Sequence, residues 1–314
     1  MTQFINALVS GVAQGGIFAL IALGYVIVYR STHTLNFAQG ALVVLGAYIT
    51  YWLSGPIRGV NFDNPPSFVR LPYFLALVIA MIVLGVFGWL LDIVVVSRFR
   101  GRPVFAVIMA TLGVATILGG LMNVVWGTSP VNLRSPFGDK FFKFHGSAFS
   151  YIDLFTLGVV AVISVAFFFG FQRSKLGTAM KATAFDQEAA IAQGISPKLI
   201  FGVSWALSAS LAAIAGVLLA SGAGTLATQV SPGLEAFAFL GFPAIVLGGV
   251  DSPEGAVLGG LIIGIVQSLA ATYEEHVAGV VGHEFWKLTP FLLMILILLI
   301  RPAGLFGTKE VRRV

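Results

Sequence analysis

Histidine and carboxylate side chains cluster once in this sequence, in a short polar stretch between two apolar runs. His276 and His283 stand there with the acidic residues Glu274, Glu275 and Glu284. Imidazole and carboxylate groups together can bind a transition metal. Because their spacing matches no compact ligand motif such as His-Glu-x-x-His, we expect a solvated acidic loop, with a metal site as the alternative.

Groups that could catalyse a reaction are otherwise missing from the sequence. It has no Gly-Lys-Ser or Gly-Lys-Thr tripeptide, so it lacks the phosphate-binding loop that nucleotide hydrolysis needs. A membrane enzyme would need paired carboxylates or histidines inside an apolar run, and none occurs. Cysteine is absent, which excludes disulfides and thiolate metal sites. We therefore expect no enzymatic activity and no cofactor in this chain.

The composition indicates a protein that is solvated by lipid. Hydrophobic residues make up 58% of the 314 residues and charged residues only 10%, whereas soluble domains carry about 25% charged residues. A helix that crosses a bilayer needs about 20 mostly apolar residues. We predict an all-α, polytopic transmembrane helix bundle of about eight to nine spans, in one domain over residues 1–314. The predicted spans are 5–29, 36–53, 73–96, 104–126, 152–171, 200–221, 235–249, 255–272 and 287–300.

Three of these spans differ from the rest. The spans at 235–249 and 255–272 are short, rich in glycine and separated by only a few residues. They can form one broken or re-entrant unit, of the kind that lines substrate cavities in transporters. The span at 36–53 is also short, and it opens with polar residues.

The sequences at the start of two short spans are similar to each other. Asn36-Phe37-Ala38-Gln39-Gly40-Ala41 resembles Asp251-Ser252-Pro253-Glu254-Gly255-Ala256. Two ordinary helix caps would explain this similarity, and a duplicated transporter half is the alternative. Polar residues that open short glycine-bearing spans favour a position near the cytoplasmic mouth of a translocation route. The candidate pathway residues are Asn36, Gln39, Gly40, Ser252, Glu254 and Gly255.

Ionisable residues are nearly absent from the interiors of the predicted spans. Asp92 is expected near a span end, within reach of the basic cluster at 98–102, and Asp153, Glu235 and Lys287 at span edges. Ion-coupled pumps keep such groups inside their spans. The sequence therefore indicates a passage without its own energy source, either a passive channel or a protein driven by a partner.

The distribution of lysine and arginine predicts the orientation in the membrane. Twelve basic residues fall in one set of alternating loops and six in the other. The twelve lie at Arg30, at 98–102, in 173–198 and in the tail from Arg301 onward. This asymmetry predicts an external N-terminus, a cytoplasmic C-terminus, and external loops at 54–71 and 127–150. Because the basic residues form short clusters between apolar runs, they do not indicate nucleic-acid binding.

Glycine recurs at a spacing that places small residues on one helix face. Gly11 and Gly15 show it, and so do Gly260 and Gly264; Gly255 and Gly259 repeat it. In a bilayer such faces let two helix backbones approach closely. We expect them to pack helices together, with faces that slide during transport as the alternative.

The longest predicted cytoplasmic loop, 173–198, contains residues that favour helix. We predict a short helix over about 179–193, ended by Gly194 and followed by Pro197. Its apolar residues need burial, either in a groove of another subunit or among lipid headgroups. These apolar residues are Met180, Ala184, Ile191 and Ile195.

The same loop resembles the coupling loop of bacterial ABC-importer permeases. Glu188-Ala189-Ala190-Ile191-Ala192-Gln193-Gly194 matches the Glu-Ala-Ala-x-x-x-Gly core of that loop, while the later Ile-x-Leu-Pro part is missing. Over essentially its full length, the chain resembles the LivH-type permeases of branched-chain amino acid transporters, which often have His-Gly where Gln39-Gly40 stands. Further matching motifs are Gly24-Tyr25, Leu35 to Gly40, Gly177 to Ala182 with Asp186, Gly194-Ile195, Ala215 to Leu218, Val246 to Gly249 with Gly255-Ala256, and Arg301 to Gly307.

This resemblance implies one of two permease subunits of an ABC importer in the bacterial inner membrane. The implied partners are a second LivH- or LivM-type permease, two cytoplasmic subunits that bind ATP and Mg²⁺, and a periplasmic substrate-binding protein. The residues implied to couple to the ATPase are Asp186, Glu188, Ala189, Ala190 and Gly194. The implied cargo is a branched-chain or other hydrophobic amino acid. Urea, short amides and aromatic acids are alternatives carried by the same machinery, and a passive small-solute channel is a further alternative.

Overall fold

A computed structural model describes residues 2–55, 71–133, 135–138, 140–144, 147–171, 174–225, 229–275 and 283–307. Helices dominate these residues, and a hairpin of β1 (Phe141–Phe144) and β2 (Ser147–Ser150) supplies the two strands found among them. The helices are α1 (Thr2–Thr32), α2 (Gln39–Ser54), α3 (Tyr73–Val94), α4 (Val104–Trp126), α5 (Tyr151–Val165), α6 (Lys175–Phe185), α7 (Gln187–Ala192), α8 (Pro197–Ala220), α9 (Leu234–Phe239), α10 (Gly241–Gly248), α11 (Pro253–Thr272) and α12 (Thr289–Ile300).

Six of the helices are long and apolar enough to cross a membrane: α1, α3, α4, α5, α8 and α11. The prediction of an all-α, multi-pass membrane protein is therefore confirmed. The spans expected at 36–53, 235–249 and 287–300 appear as α2, as the pair α9 and α10, and as the 12-residue α12. Leu240 separates α9 from α10, so this part of the chain is interrupted as its glycine content indicated.

Helix α1 forms the centre of the bundle and packs closely against α11. Of its most apolar stretch, 94% of the residues are buried inside the protein. In α4 the corresponding share is 22%, so most of its side chains face outward. A Cβ atom at Gly15 would lie 2.7 Å from Leu261 Cα, and one at Gly264 would lie 2.6 Å from Gly11 O. Glycine spacing therefore brings the two backbones together, as expected for helices that associate within lipid.

Hydrogen bonds between helices show the relative directions of four long helices. The Ser268 hydroxyl of α11 donates to Ala7 O near the start of α1, at 2.8 Å. Likewise, Tyr73 at the start of α3 shares a 2.9 Å hydrogen bond with Ser221, just after α8. Both pairs of helices are therefore antiparallel. The ends of α1 and α3 lie at the same end of the bundle as the starts of α8 and α11.

That end, here called the basic end, collects residues 30–33, 95–103, 174–198, 249–252 and 301–307. His33 lies 3.2 Å from Ala184 O, which joins the end of α1 to α6. The basic residues described there are Arg30, Arg98, Arg100, Arg102, Lys175, Lys181, Lys198 and Arg301. The charge asymmetry predicted from the loops is thus present in the fold. Arg58, Arg70, Arg134, Arg173, Lys309, Arg312, Arg313 and His276 lie outside the described residues.

The segment after α12 returns to the turn between α10 and α11. The Leu305 N–H donates to Leu247 O at 2.8 Å, and the Phe306 N–H donates to Gly248 O at 2.9 Å. These two carbonyls end α10 and have no partner within the helix. The segment 301–307 therefore caps α10 and joins α12 to the neighbouring helices.

Candidate functional site

Asp186 divides the region in which a single helix, about 179–193, was predicted. Its backbone is extended (φ −154°, ψ 108°), and its Oδ1 accepts the N–H groups of Glu188 at 2.9 Å and Ala189 at 3.0 Å. An aspartate side chain satisfies the free donors of a helix start and thereby favours a cap over continuation. The single-helix prediction is therefore wrong: α6 ends and α7 begins at Asp186.

Gly194 ends α7 in the way that the sequence indicated. Its φ is +79°, a conformation that glycine adopts without strain. The Ile195 N–H then donates to Ala190 O at 3.0 Å, and the Gly194 N–H to Ile191 O at 2.9 Å. The chain turns sharply here and enters α8 within three residues.

The apolar residues of α6 and α7 divide into an inner and an outer set. Met180 and Ala190 are each only 3% exposed, within this chain itself. Phe185 is 95% exposed and Ile191 is 59% exposed. Glu188 is also exposed. Phe185 and Ile191 are therefore the most exposed large apolar side chains that this pair of helices offers to another protein, with Leu176 at 43%. A larger residue at the buried Ala190 would disturb packing within this chain before it affected a partner.

Asn36 and Gln39 lie deep in the bundle. Both are fully buried. A Cβ at Gly24 would lie 3.3 Å from Gln39 Cδ, and Gly24 is eight residues, about 12 Å, before the end of α1. The chain thus turns back into the bundle after α1, and α2 begins inside it. Asn36 and Gln39 are therefore enclosed within the chain, and their place near the mouth of a translocation route stays a prediction.

Hydrogen bonds within the chain satisfy this inner segment. Gln39 Oε1 accepts from Asn36 Nδ2 at 3.2 Å and from the Ser208 hydroxyl at 2.9 Å. The Phe37 N–H donates to Thr111 Oγ1 at 3.2 Å. Irregular backbone at membrane depth persists only where protein supplies its partners. The two amides therefore hold the start of α2 against α4 and α8.

Gly40 is the member of the predicted pathway set that meets α9. A Cβ there would lie 3.2 Å from Glu235 Cγ and 3.7 Å from Ala238 Cβ. Glu235 is half-buried. As expected, it lies at the start of its helix, in the first turn of α9, and there it packs against Gly40 near the start of α2. Glu235 was not included in the predicted pathway set. Its position in the sequence, as an acidic residue at the start of a short span that contains glycine, could have identified it.

Ser252, Glu254 and Gly255 form a separate group at the basic end. Ser252 Oγ accepts the Gly255 N–H at 3.0 Å and lies 3.3 Å from Glu254 Oε2. A Cβ at Gly255 would lie 2.6 Å from the Gly248 carbonyl carbon, so α10 and α11 meet closely there. The two halves of the predicted pathway set are therefore not adjacent: contacts run from α2 through α9 and α10 to α11.

The buried carboxylates of the long helices have structural partners. Asp92 pairs with Arg100 through both carboxylate oxygens. Asp153 accepts the Gly224 N–H at 2.8 Å. Among the residues that the structure describes, no three metal-ligating side chains come together. Glu284 of the acidic loop pairs with Lys287 at 2.6 Å.

Known proteins resemble this chain along nearly its whole length. The family described as "Branched-chain amino acid transport system / permease component" matches residues 7–298. The permease protein LivH of a high-affinity branched-chain amino acid transport system in Escherichia coli (strain K12) is 29% identical over 99% of this chain and 98% of its own. BraD of Pseudomonas aeruginosa shows the same identity and coverage. LivM of Escherichia coli is 25% identical over 92% of this chain and 67% of its own.

The architecture fits those matches. Six helices have the length and hydropathy of membrane spans, and the inner start of α2 and the interrupted pair α9 and α10 add the broken elements typical of transporters. The family match covers all of these elements, from α1 into α12. The chain therefore belongs to the family of permease components of branched-chain amino acid transport systems.

Proposed function

We propose that this chain is a permease subunit of an ATP-driven importer that carries branched-chain or other hydrophobic amino acids across the bacterial inner membrane. One observation carries the proposal: the similarity to LivH spans 99% of this chain and 98% of LivH, with no large part of either left over. Urea, short amides and aromatic acids are alternative cargoes. A passive small-solute channel is the alternative mechanism.

The energy comes from a partner in this proposal. The sequence has no phosphate-binding loop, so ATP and Mg²⁺ belong to two separate cytoplasmic subunits. The α6–α7 pair lies at the basic end and presents Phe185 and Ile191 outward. These two side chains form the docking surface for an ATPase subunit. The turns on either side of α7 position them, and the residues that form those turns and α7 are Asp186, Glu188, Ala189 and Gly194. Exposed apolar side chains on short helices are suited to a groove on a partner.

The other proposed partners follow from the same family. A second permease of the LivH or LivM type lies beside this chain in the bilayer, and a periplasmic binding protein delivers substrate to the end opposite the basic end. The similarity to LivM supports a pair of related permeases. The basic end then faces the cytoplasm, because loops rich in lysine and arginine remain on that side.

Reconstitution with the two ATPase subunits, the second permease and the binding protein tests the proposal. We expect uptake of L-leucine into proteoliposomes that requires ATP and the binding protein. Uptake of urea in place of leucine would identify the alternative cargo. Leucine uptake without ATP, by this chain alone, would establish the passive channel and contradict the proposal.

A further inference from the structure

A cavity of about 280 Å³ lies between α1, α9, α11 and the turn Phe285–Lys287. It lies toward the end of the bundle opposite the basic end, because Gln267 in its wall is five residues, about 8 Å, before the end of α11. Its volume far exceeds the about 10–15 Å³ that one water molecule needs. The cavity can therefore hold a small organic solute.

Two buried amides form its polar wall. Gln14 of α1 is 2% exposed and Gln267 of α11 is fully buried. Gln14 Nε2 donates to Gln267 Oε1 at 2.5 Å. Gln267 Nε2 has no hydrogen-bond partner among the described residues. A buried donor without a partner costs free energy, so this group suits a ligand that brings an acceptor oxygen.

The rest of the cavity wall includes an aromatic pair, and a charged residue lies at the rim. Phe237 and Trp286 stack with their ring centres 6.4 Å apart, and both line the cavity. Lys287 also lines it, and its ammonium group pairs with Glu284 at 2.6 Å. The rim thus carries charges of both signs: Lys287 lines the cavity, Glu284 pairs with it, and the Glu274 carboxylate accepts the Glu284 N–H. Charges of both signs suit a zwitterion, which presents an ammonium and a carboxylate group.

We propose that this cavity binds the carboxylate of a small zwitterion with an apolar side chain, such as an α-amino acid. The Gln267 amide donates to the carboxylate, and the aromatic pair contacts the side chain. The inference rests on the proposed function for the identity of the solute. It adds a binding site inside one permease subunit, between α1 and α11.

Thiol labelling tests the site directly, because the chain contains no cysteine of its own. Ala271 lines the cavity and is exposed, so Ala271→Cys places a single reactive group at the site. The full transporter carrying this substitution is labelled in vesicles with a small methanethiosulfonate. At a concentration of ten times Kd, a ligand that covers Cβ at this position slows labelling about tenfold.

Three probes separate the parts of the ligand. L-Leucine has both charged groups, 4-methylpentanoate has only the carboxylate, and leucinol has only the ammonium group. We expect protection by leucine and by 4-methylpentanoate, and none by leucinol. Equal protection by leucinol would contradict the assignment of a carboxylate to Gln267.

Substitutions at Gln267 supply the second measurement. Gln267→Met removes the donor at similar length, and Gln267→Glu keeps the shape but repels a carboxylate. Both should abolish protection by leucine. Ser204→Ala is the matched control, since Ser204 is a buried polar residue whose hydroxyl bonds Ile200 O of its own helix. A single peak of normal yield in size-exclusion chromatography shows that each variant is folded.

Uptake is measured in the same vesicles, which separates the two proposals. Leucine uptake without any protection of the cysteine would overturn the cavity site and leave the proposed function standing. Protection that survives Gln267→Met would also overturn it. Absence of ATP-dependent leucine uptake in the parent would instead contradict the proposed function.

Discussion

Arg100 donates to both carboxylate oxygens of Asp92, eight residues earlier in the chain. Its guanidinium also lies 4.4 Å from the centre of the Phe201 ring, in the second turn of α8. Asp92 is 1% exposed, while the Arg100 side chain is 26% exposed. The pair therefore fixes the turn after α3 against the start of α8, at the basic end.

Asp92→Ala should destabilise the protein through this pair. Removing one partner of a buried pair leaves the other charge without compensation, and we expect a loss of about 3 kcal/mol in the free energy of unfolding. Thermal unfolding in detergent measures it. Arg102→Ala is the control, because Arg102 is exposed and should leave the midpoint unchanged. Equal midpoints for wild type and Asp92→Ala would contradict the structural role.

Gly264→Leu should prevent the close packing of α1 and α11. Any Cβ there meets Gly11 O at 2.6 Å, and the neighbour is backbone, which cannot move aside. We expect a large loss of folded protein, measured by size-exclusion chromatography after solubilisation. Gly113→Leu is the matched control, since a Cβ at Gly113 meets nothing within 4 Å. Folded Gly264→Leu in normal yield would show that the two helices can separate freely.

Gln39→Leu should loosen the inner start of α2. It leaves Asn36 Nδ2 and the Ser208 hydroxyl without their shared acceptor, and each buried orphan costs about 1–3 kcal/mol. Chemical denaturation should report this loss. Thr50→Val provides the comparison, because the Thr50 hydroxyl bonds Gly46 O in its own helix and should lose at most about 1 kcal/mol.

Substitutions at Gly40 and Gly255 test the proposed pathway directly. Gly40→Leu inserts a side chain toward Glu235, and Gly255→Leu one toward Gly248. We expect both to lower ATP-dependent uptake. Normal uptake by both variants at wild-type expression would remove these positions from the pathway.

Phe185→Ala and Ile191→Ala should weaken binding of the ATPase subunit without harming the membrane fold. Truncating a residue at the centre of an interface typically costs about 1–2 kcal/mol, or about tenfold in affinity. Co-purification and substrate-stimulated ATP hydrolysis measure the effect. Gly194→Val should act in the same direction, because its φ of +79° strains any larger residue. Leu199→Ala, 48% exposed on α8, is the control. Wild-type coupling in all of these variants would favour a helix pair that rests on lipid headgroups.

Cysteine labelling tests the orientation. Lys181→Cys at the basic end should react only with reagents that reach the cytoplasm, and Lys140→Cys at the other end should react from outside. Both side chains are exposed. External labelling at position 181 in intact cells would reverse the predicted topology.

The sequence predicted the long helices well because their apolar runs and glycine spacing are local signals. Gly15 and Gly264 lie at the contact that their spacing indicated. It also identified Asp92 as a neighbour of the basic cluster, since the two lie within one short stretch of chain.

Contacts between residues distant in the sequence, and one helix cap, determine the features that the sequence did not predict. The depth of Gln39 depends on Ser208 and Gly24, which lie far away in the sequence. The break at Asp186 arises from a side chain that caps the next helix, where helix propensity alone favoured continuation. The Gln14–Gln267 pair was not singled out, because a lone glutamine in each of two apolar runs gives no local pattern.

The return of residues 305 and 306 to α10 bears on how this protein is made. The N–H groups that complete the end of α10 belong to residues synthesised long after that helix. Until residues 305 and 306 have been synthesised, the Leu247 and Gly248 carbonyls lack these two donors. The turn between α10 and α11 therefore cannot complete its hydrogen bonds until the chain has been made as far as residue 306.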